Sequence, residues 1–393
     1  MASYTNFFEE KAYNVLSEDN LAETLRQCAK AFRTFDEALD TFIVAHGYVG
    51  KVDDIKDKES FIKSHFKAGQ IPVPRNINRW YTEHILIERR TAFQICFAFH
   101  LTIEETEDFM RRICLIKGID CHNMEELVYS FAIKNGLSYS DAKEIINSVD
   151  LEKPCQKMAD EPVYTELIQA DVEDIQTKEQ LIAYLNENAE VFCYNNATAT
   201  QMIQTIWSDI AKSDGLAIRE RRKLYMSFDD DSETYNKAHA RDSIWNILLQ
   251  ILGLLGSYSE NRYKDRSLKS ILRDNELLHP LAECAFSDRD GLNKVLLGRH
   301  VSYERIRKLL ILLVFYRFWA IKALAYNDYE AKTDDTKRCI LAINESLIDA
   351  GYPALYPGNP YDFIFLVALN SEYPLLDFRE IMREIYFSAC VGV

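Results

Sequence analysis

Apolar residues recur every three or four positions along most of the chain, as at Leu127, Phe131 and Ile133 before Gly136, the spacing that lines one face of a helix. No stretch sustains the strict alternation of a half-buried strand. Helix punctuation is frequent. Thr102-Ile-Glu-Glu105 has capping-box spacing, in which a hydroxyl accepts from a free backbone N–H and a carboxylate reaches back. The spacing predicts a helix from there to about Lys117, stopped at Gly118. Ser138 to Asp141 and Thr177 to Gln180 open two further helices. Ser213 to Arg221 reads as helix, turn, helix, with Asp214 in the turn. Leu309 to Ala325 is apolar on nearly all sides, which predicts a helix buried in a core. The fold class is therefore all-α, a multi-domain helical bundle or array.

Four segments follow from the punctuation. Residues 1–150 form a helical N-terminal region, and 151–176, with prolines at 154 and 162, a linker. Residues 177–332 form a central helical domain. Residues 333–393 form a C-terminal helical module after a polar break at Lys332 to Lys337. A faint repeat links 118–146 to 351–382. Setting Asn123 against Asn359 pairs Leu127 with Phe363, Val128 with Ile364 and Phe131 with Val367. In both, a helix stops at glycine, then come a loop, a helix, a turn and a helix. Either the module is duplicated, or two amphipathic helices resemble each other by chance.

Composition sharpens the picture. Only 13 Gly and 9 Pro occur in 393 residues, too few turn formers for many short strands. The net charge of −15 opposes a nonspecific coat on nucleic acid, though not a local basic groove. Nine cysteines, odd in number and without a repeated spacing, read as free thiols in a reducing cytoplasm. The start of the chain has no targeting pattern, and the apolar run Leu309 to Tyr316 is too short to span a bilayer. No membrane association is expected.

Chemistry-bearing patterns are sparse. Cys114, Cys121 and His122 lie near one another but lack a second ligand pair, so no metal is expected. Asp229-Asp230-Asp231-Ser232-Glu233 alternates acids like a calcium loop, without its glycine and closing glutamate in register. No phosphate loop, dinucleotide fingerprint, zinc-protease or nucleophile-elbow motif occurs. No catalytic residue and no cofactor are assigned, and the chain reads as non-enzymatic. An unrecognised hydrolase or nuclease would need a polar cluster that sequence cannot place.

Two surfaces remain. Basic residues with interleaved tyrosines suit phosphate contact and base stacking. One patch is Arg299, His300, Tyr303, Arg305, Arg307 and Lys308; another includes Arg219 and Arg222; a third runs through Arg262, Lys264, Arg266 and Arg273. These are the candidate nucleic-acid contacts, the alternative being cations that offset surplus acid. The aromatic loop Tyr352, Leu355, Tyr356 and Tyr361 is the candidate protein-partner surface, the alternative being packing within the chain.

The phrase Ala350-Gly351-Tyr352-Pro353-Ala354-Leu355-Tyr356-Pro357-Gly358-Asn359-Pro360-Tyr361-Asp362, followed by Ala368-Leu369-Asn370, resembles a segment of Firmicutes Xre/Cro-like helix-turn-helix proteins. The stretch from Arg90 to Thr106 is similar to the helix pair closing such a domain. The resemblance covers short motifs near residues 90–146 and 350–382 only. It implies a degenerate helix-turn-helix-like N-terminal region and a bacterial regulator, in a host-defence or mobile-element setting. It departs where bases would be read: Pro72 and Pro74 interrupt the segment before Trp80, so no DNA-reading residue is carried over.

Overall fold

A computed structural model describes residues 2–14, 21–51, 53–82, 87–121, 123–149, 168, 171–192, 197–226, 244–254, 289–299, 301, 303–326 and 329–387. Among these the secondary structure is helical throughout, with no strand. The helices in chain order are α1 (Ala2–Asn14), α2 (Leu21–Ala31), α3 (Phe35–Ala45), α4 (Ile55–Ala68), α5 (Ile77–Thr82), α6 (Arg89–Ala98) and α7 (Ile103–Asp108). Then come α8 (Met124–Lys134), α9 (Tyr139–Ser148), α10 (Lys178–Glu187), α11 (Ala197–Ala211), α12 (Leu216–Met226) and α13 (Ile244–Ile251). The last five are α14 (Arg289–Leu296), α15 (Tyr303–Ala325), α16 (Thr333–Asp349), α17 (Pro360–Leu369) and α18 (Pro374–Phe387).

These helices pack into two compact units, residues 33–197 and residues 1–32 with 198–393. The divisions differ from those expected at 150, 177 and 332. The N-terminal 32 residues join the later unit through aromatics: Phe8 stacks on Phe32 at 4.2 Å, and both meet Phe363 edge-on at 5.5 and 5.4 Å. Helix α10 belongs to the earlier unit, where Lys178 Nζ lies 2.9 Å from Asp141. Residues 333–393 are no separate module, because α15 to α18 share one core. The polar stretch at Lys332 to Lys337 is not a break either. It opens α16, and its polarity belongs to that helix's outer side.

In the 33–197 unit, the boxes at Thr102, Ser138 and Thr177 form as spaced, each hydroxyl accepting from the backbone N–H three residues on. Helix α7 departs from expectation. It widens into a π-helical turn at Phe109–Ile113 and stops at Leu115, which is left-handed at φ 51°. The extra residue of the π turn moves the closing bond, so Ile116 N–H donates to Met110 O. Gly118 lies beyond this stop, inside the loop. A Cβ there would fall 1.8 Å from Glu107 Oε2, so close approach rather than capping demands the glycine.

In the other unit α15 forms the centre, as its apolar circumference predicts. Leu309 to Leu313, Phe315 and Tyr316 are wholly buried. Trp319 and Ala320 continue the same core toward the C-terminal end. A 23-residue helix is about 35 Å long, enough for α12, α16 and α18 to pack along it.

Candidate functional site

The loop between α16 and α17 is built around one buried ion pair. Arg307, in the second turn of α15, holds Asp362 with two parallel bonds of 2.7 Å. Its Nη2 also donates to Pro353 O at 3.4 Å. Asp362 accepts from Tyr356 N–H at 2.9 Å. Asn359 caps α17, accepting from Tyr361 and Asp362 N–H, and Pro360 fills the first helical position, where its missing donor costs nothing. Asp362 thus sits in the first turn, where free N–H groups favour negative charge. Burial works against the charge on Arg307, but the carboxylate overrides it and raises the guanidinium pKa.

The same constellation closes the loop before α8. Arg89, at the start of α6, donates to Glu126 through Nε at 2.7 Å and Nη2 at 2.5 Å. It also donates to Lys117 O and Gly118 O, both at 2.8 Å. Glu126 accepts from Asp120 N–H at 2.9 Å, and Asn123 caps the helix. In both loops the carboxylate lies three positions after the capping asparagine. Its backbone donor lies six positions upstream and the carbonyl bound by the arginine nine. The alignment of Asn123 with Asn359 therefore corresponds to a shared hydrogen-bond plan. The loops differ in one respect. The earlier one adds a second buried pair, Lys117 to Asp120 at 3.1 Å, where the later one has Pro353 and Tyr356. Burial lowers the Lys117 pKa, with Asp120 opposing.

A third buried cluster ties four helices together. Glu220 on α12 accepts from Arg379 on α18 at 2.8 and 3.1 Å, from Gln250 on α13 at 2.9 Å and from Tyr316 on α15 at 2.9 Å. Gln250 Oε1 in turn accepts from Arg221 at 2.5 Å. Burial pushes the Glu220 pKa up, yet Arg379, Gln250 and Tyr316 together hold it below the usual carboxylate range. Gly253, at φ 70°, lets Arg379 pass, since a Cβ there would lie 2.4 Å from Arg379 Cβ.

These networks relocate several residues that the sequence offered as contacts. Arg307 is consumed by Asp362. Tyr303 is buried, its ring 4.2 Å from that of Tyr352, and donates to Gly351 O. Neither faces solvent, so the basic patch is not continuous. Lys308 lies over the Tyr361 ring at 5.3 Å, and Arg305 is half-buried. Arg299 and Arg219 are exposed, and Arg222 pairs with Asp214 at 3.0 Å. In the aromatic loop, Tyr352 donates to Tyr303 O and Tyr361 to Lys308 O, both from within the core, while Leu355 and Tyr356 are half-buried. The loop packs mainly on its own unit. His300, Ser302, His122, the 229–233 acids and the 262–273 patch lie outside the described residues.

The sequence did not single out the outward side of α16. Its inner face, Asp335, Cys339, Ile343 and Leu347, is buried. Leu341 and Ile348, seven residues apart on the outer side, remain 56% and 59% exposed. That spacing, two apolar residues one heptad apart among charges, is a readable signal. Cys28, Cys96, Cys114, Cys121 and Cys339 are buried free thiols. Burial pushes Cys96 up to about 12 and raises Cys114 and Cys339 as well. Among the described residues no three His, Cys, Asp or Glu converge as metal ligands, and no helix is long and apolar enough to cross a membrane. No family model, no curated protein and no solved structure matches the chain.

Proposed function

We propose that this protein is a non-enzymatic helical scaffold or regulator that works through protein contacts. The observation that carries the reading is the outer side of α16, where Leu341 and Ile348 stand more than half exposed. Exposed apolar residues scattered singly are ordinary; two on one helical face, framed by charge, suit a partner. The interior supports the same reading. Arg89, Glu126, Glu220, Arg307, Asp362 and Arg379 each close on a protein group, and thiols with raised pKa are poor nucleophiles. The resemblance to Xre/Cro-like proteins fits a bacterial regulator, and nucleic-acid binding through Arg219 and Arg299 is the competing reading.

Affinity capture from the native host at mild salt, with protein and nucleic acid both identified, tests it. The reading expects a protein partner, lost when Leu341 and Ile348 are both changed to serine. Capture of nucleic acid alone, or identical capture with the double variant, overturns it.

A further inference from the structure

The outer side of α16 is patterned for one particular partner. At about 100° per residue, Asp334, Lys337, Arg338, Leu341, Glu345 and Ile348 share one side of the helix, and all are exposed. Charge is divided along it. The N-terminal half carries Lys332, Lys337 and Arg338 against Asp334, while the C-terminal half carries Glu345 and Asp349. One half is net positive, the other net negative, and Leu341 lies between them. A surface that is polar end to end and apolar in the middle is complementary to itself when reversed.

We propose that α16 docks antiparallel on α16 of a second copy of this chain about a two-fold axis. With the axis beside Leu341, Arg338 of each copy faces Glu345 of the other. Leu341 packs near its equivalent, and Ile348 lies along the aliphatic stem of Lys337 of the copy. Asp349 comes opposite the end carrying Lys332. The six charged side chains sum to zero, so the face escapes the repulsion that a chain of net charge −15 imposes elsewhere. A single 17-residue helix on each side buries less than the roughly 1,600 Å² of a standard stable interface. The dimer is therefore weak and concentration-dependent. This inference rests on the contact-surface reading above and names its partner.

Sedimentation velocity on the full chain tests it. The 45.6 kDa monomer should dominate at about 1 μM and shift toward twice that mass by about 100 μM, as expected of a small interface. Arg338→Glu and Glu345→Arg, each placing two like-charge pairs in the contact, should each weaken association at least about tenfold. Mixed in equal amounts, the two variants should regain wild-type association, because both cross-pairs become opposite again. Leu341→Glu should abolish it, with unchanged circular dichroism. A wild type that stays monomeric to about 200 μM, single variants that associate like wild type, or a mixture no better than either variant would overturn the dimer. Capture of a different protein, lost in the serine variant, would still stand as support for the contact reading alone.

Discussion

Removing Asp362 should be among the most damaging single changes available in this molecule. Its side chain is fully buried and that of Arg307 is 6% exposed, so Asp362→Ala leaves a guanidinium in the core with only Pro353 O, 3.4 Å away, as acceptor. Breaking a buried pair from one side costs about 3–5 kcal/mol. The Tyr356 N–H also loses its acceptor, adding about 1 kcal/mol. The sum, about 4–6 kcal/mol, is comparable to the whole stability of many domains. Glu126→Ala breaks the equivalent staple but should cost less, about 2–3 kcal/mol, because the Arg89 side chain is 24% exposed and water can reach it. Replacing both partners, Arg307→Met with Asp362→Leu, should be milder than Asp362→Ala, since no charge is stranded. Urea unfolding followed by fluorescence and circular dichroism separates these cases. Trp80 is the one tryptophan in residues 33–197, so Trp80→Phe backgrounds assign the signal to a unit. An Asp362→Ala cost below about 1.5 kcal/mol, or a double variant worse than the single, would refute the reasoning.

Further expectations follow from local geometry. His100 is exposed and left-handed at φ 51°, so His100→Gly should raise stability by about 0.5–1 kcal/mol in a thermal melt. Leu115→Gly should gain little, because the half-buried leucine loses packing. Gly253→Ala should cost about 3 kcal/mol or more, by strain at φ 70° and by pushing Arg379 off Glu220. The Lys322 ammonium at 2.8 Å, then the Tyr329 hydroxyl, depress Asp335 to about 2. Its folded pKa lies below its unfolded one, so its contribution is complete above about pH 4 and fades as pH falls toward 2. That contribution is about 1–2 kcal/mol after solvent screening, and Asp335→Asn should flatten the acid limb of melting temperature against pH. Iodoacetamide followed by peptide mass mapping should find Cys28, Cys96, Cys114, Cys121 and Cys339 unlabelled in the native protein and labelled in denaturant.

What the sequence disclosed depended on the range of the interaction. The boxes at Thr102, Ser138 and Thr177 were readable because a cap involves residues three apart. The burial of α15 followed from its apolar circumference. The match of Asn123 with Asn359 located both caps, and the carboxylate three residues beyond each is local too. The arginines that bind those carboxylates lie 37 and 55 residues away, and nothing local marks them. Arg307 therefore looked like one cation of a surface patch. Sequence shows the charge of a side chain but not whether water or a distant aspartate receives it. The stop at Leu115 was missed because a leucine takes the place where glycine is expected. The unit boundaries were missed because Phe8 and Phe32 find Phe363 across more than 300 positions of chain.

The account turns on two equivalent carboxylates each pinning a loop amide, Asp120 N–H under Glu126 and Tyr356 N–H under Asp362. Native-state hydrogen exchange at those two amides is the most direct measurement. Both should be protected to the level of the flanking helices, and Glu126→Gln should release Asp120 while leaving Tyr356 protected. Exchange of either amide at the free-chain rate in the wild type would contradict the shared staple.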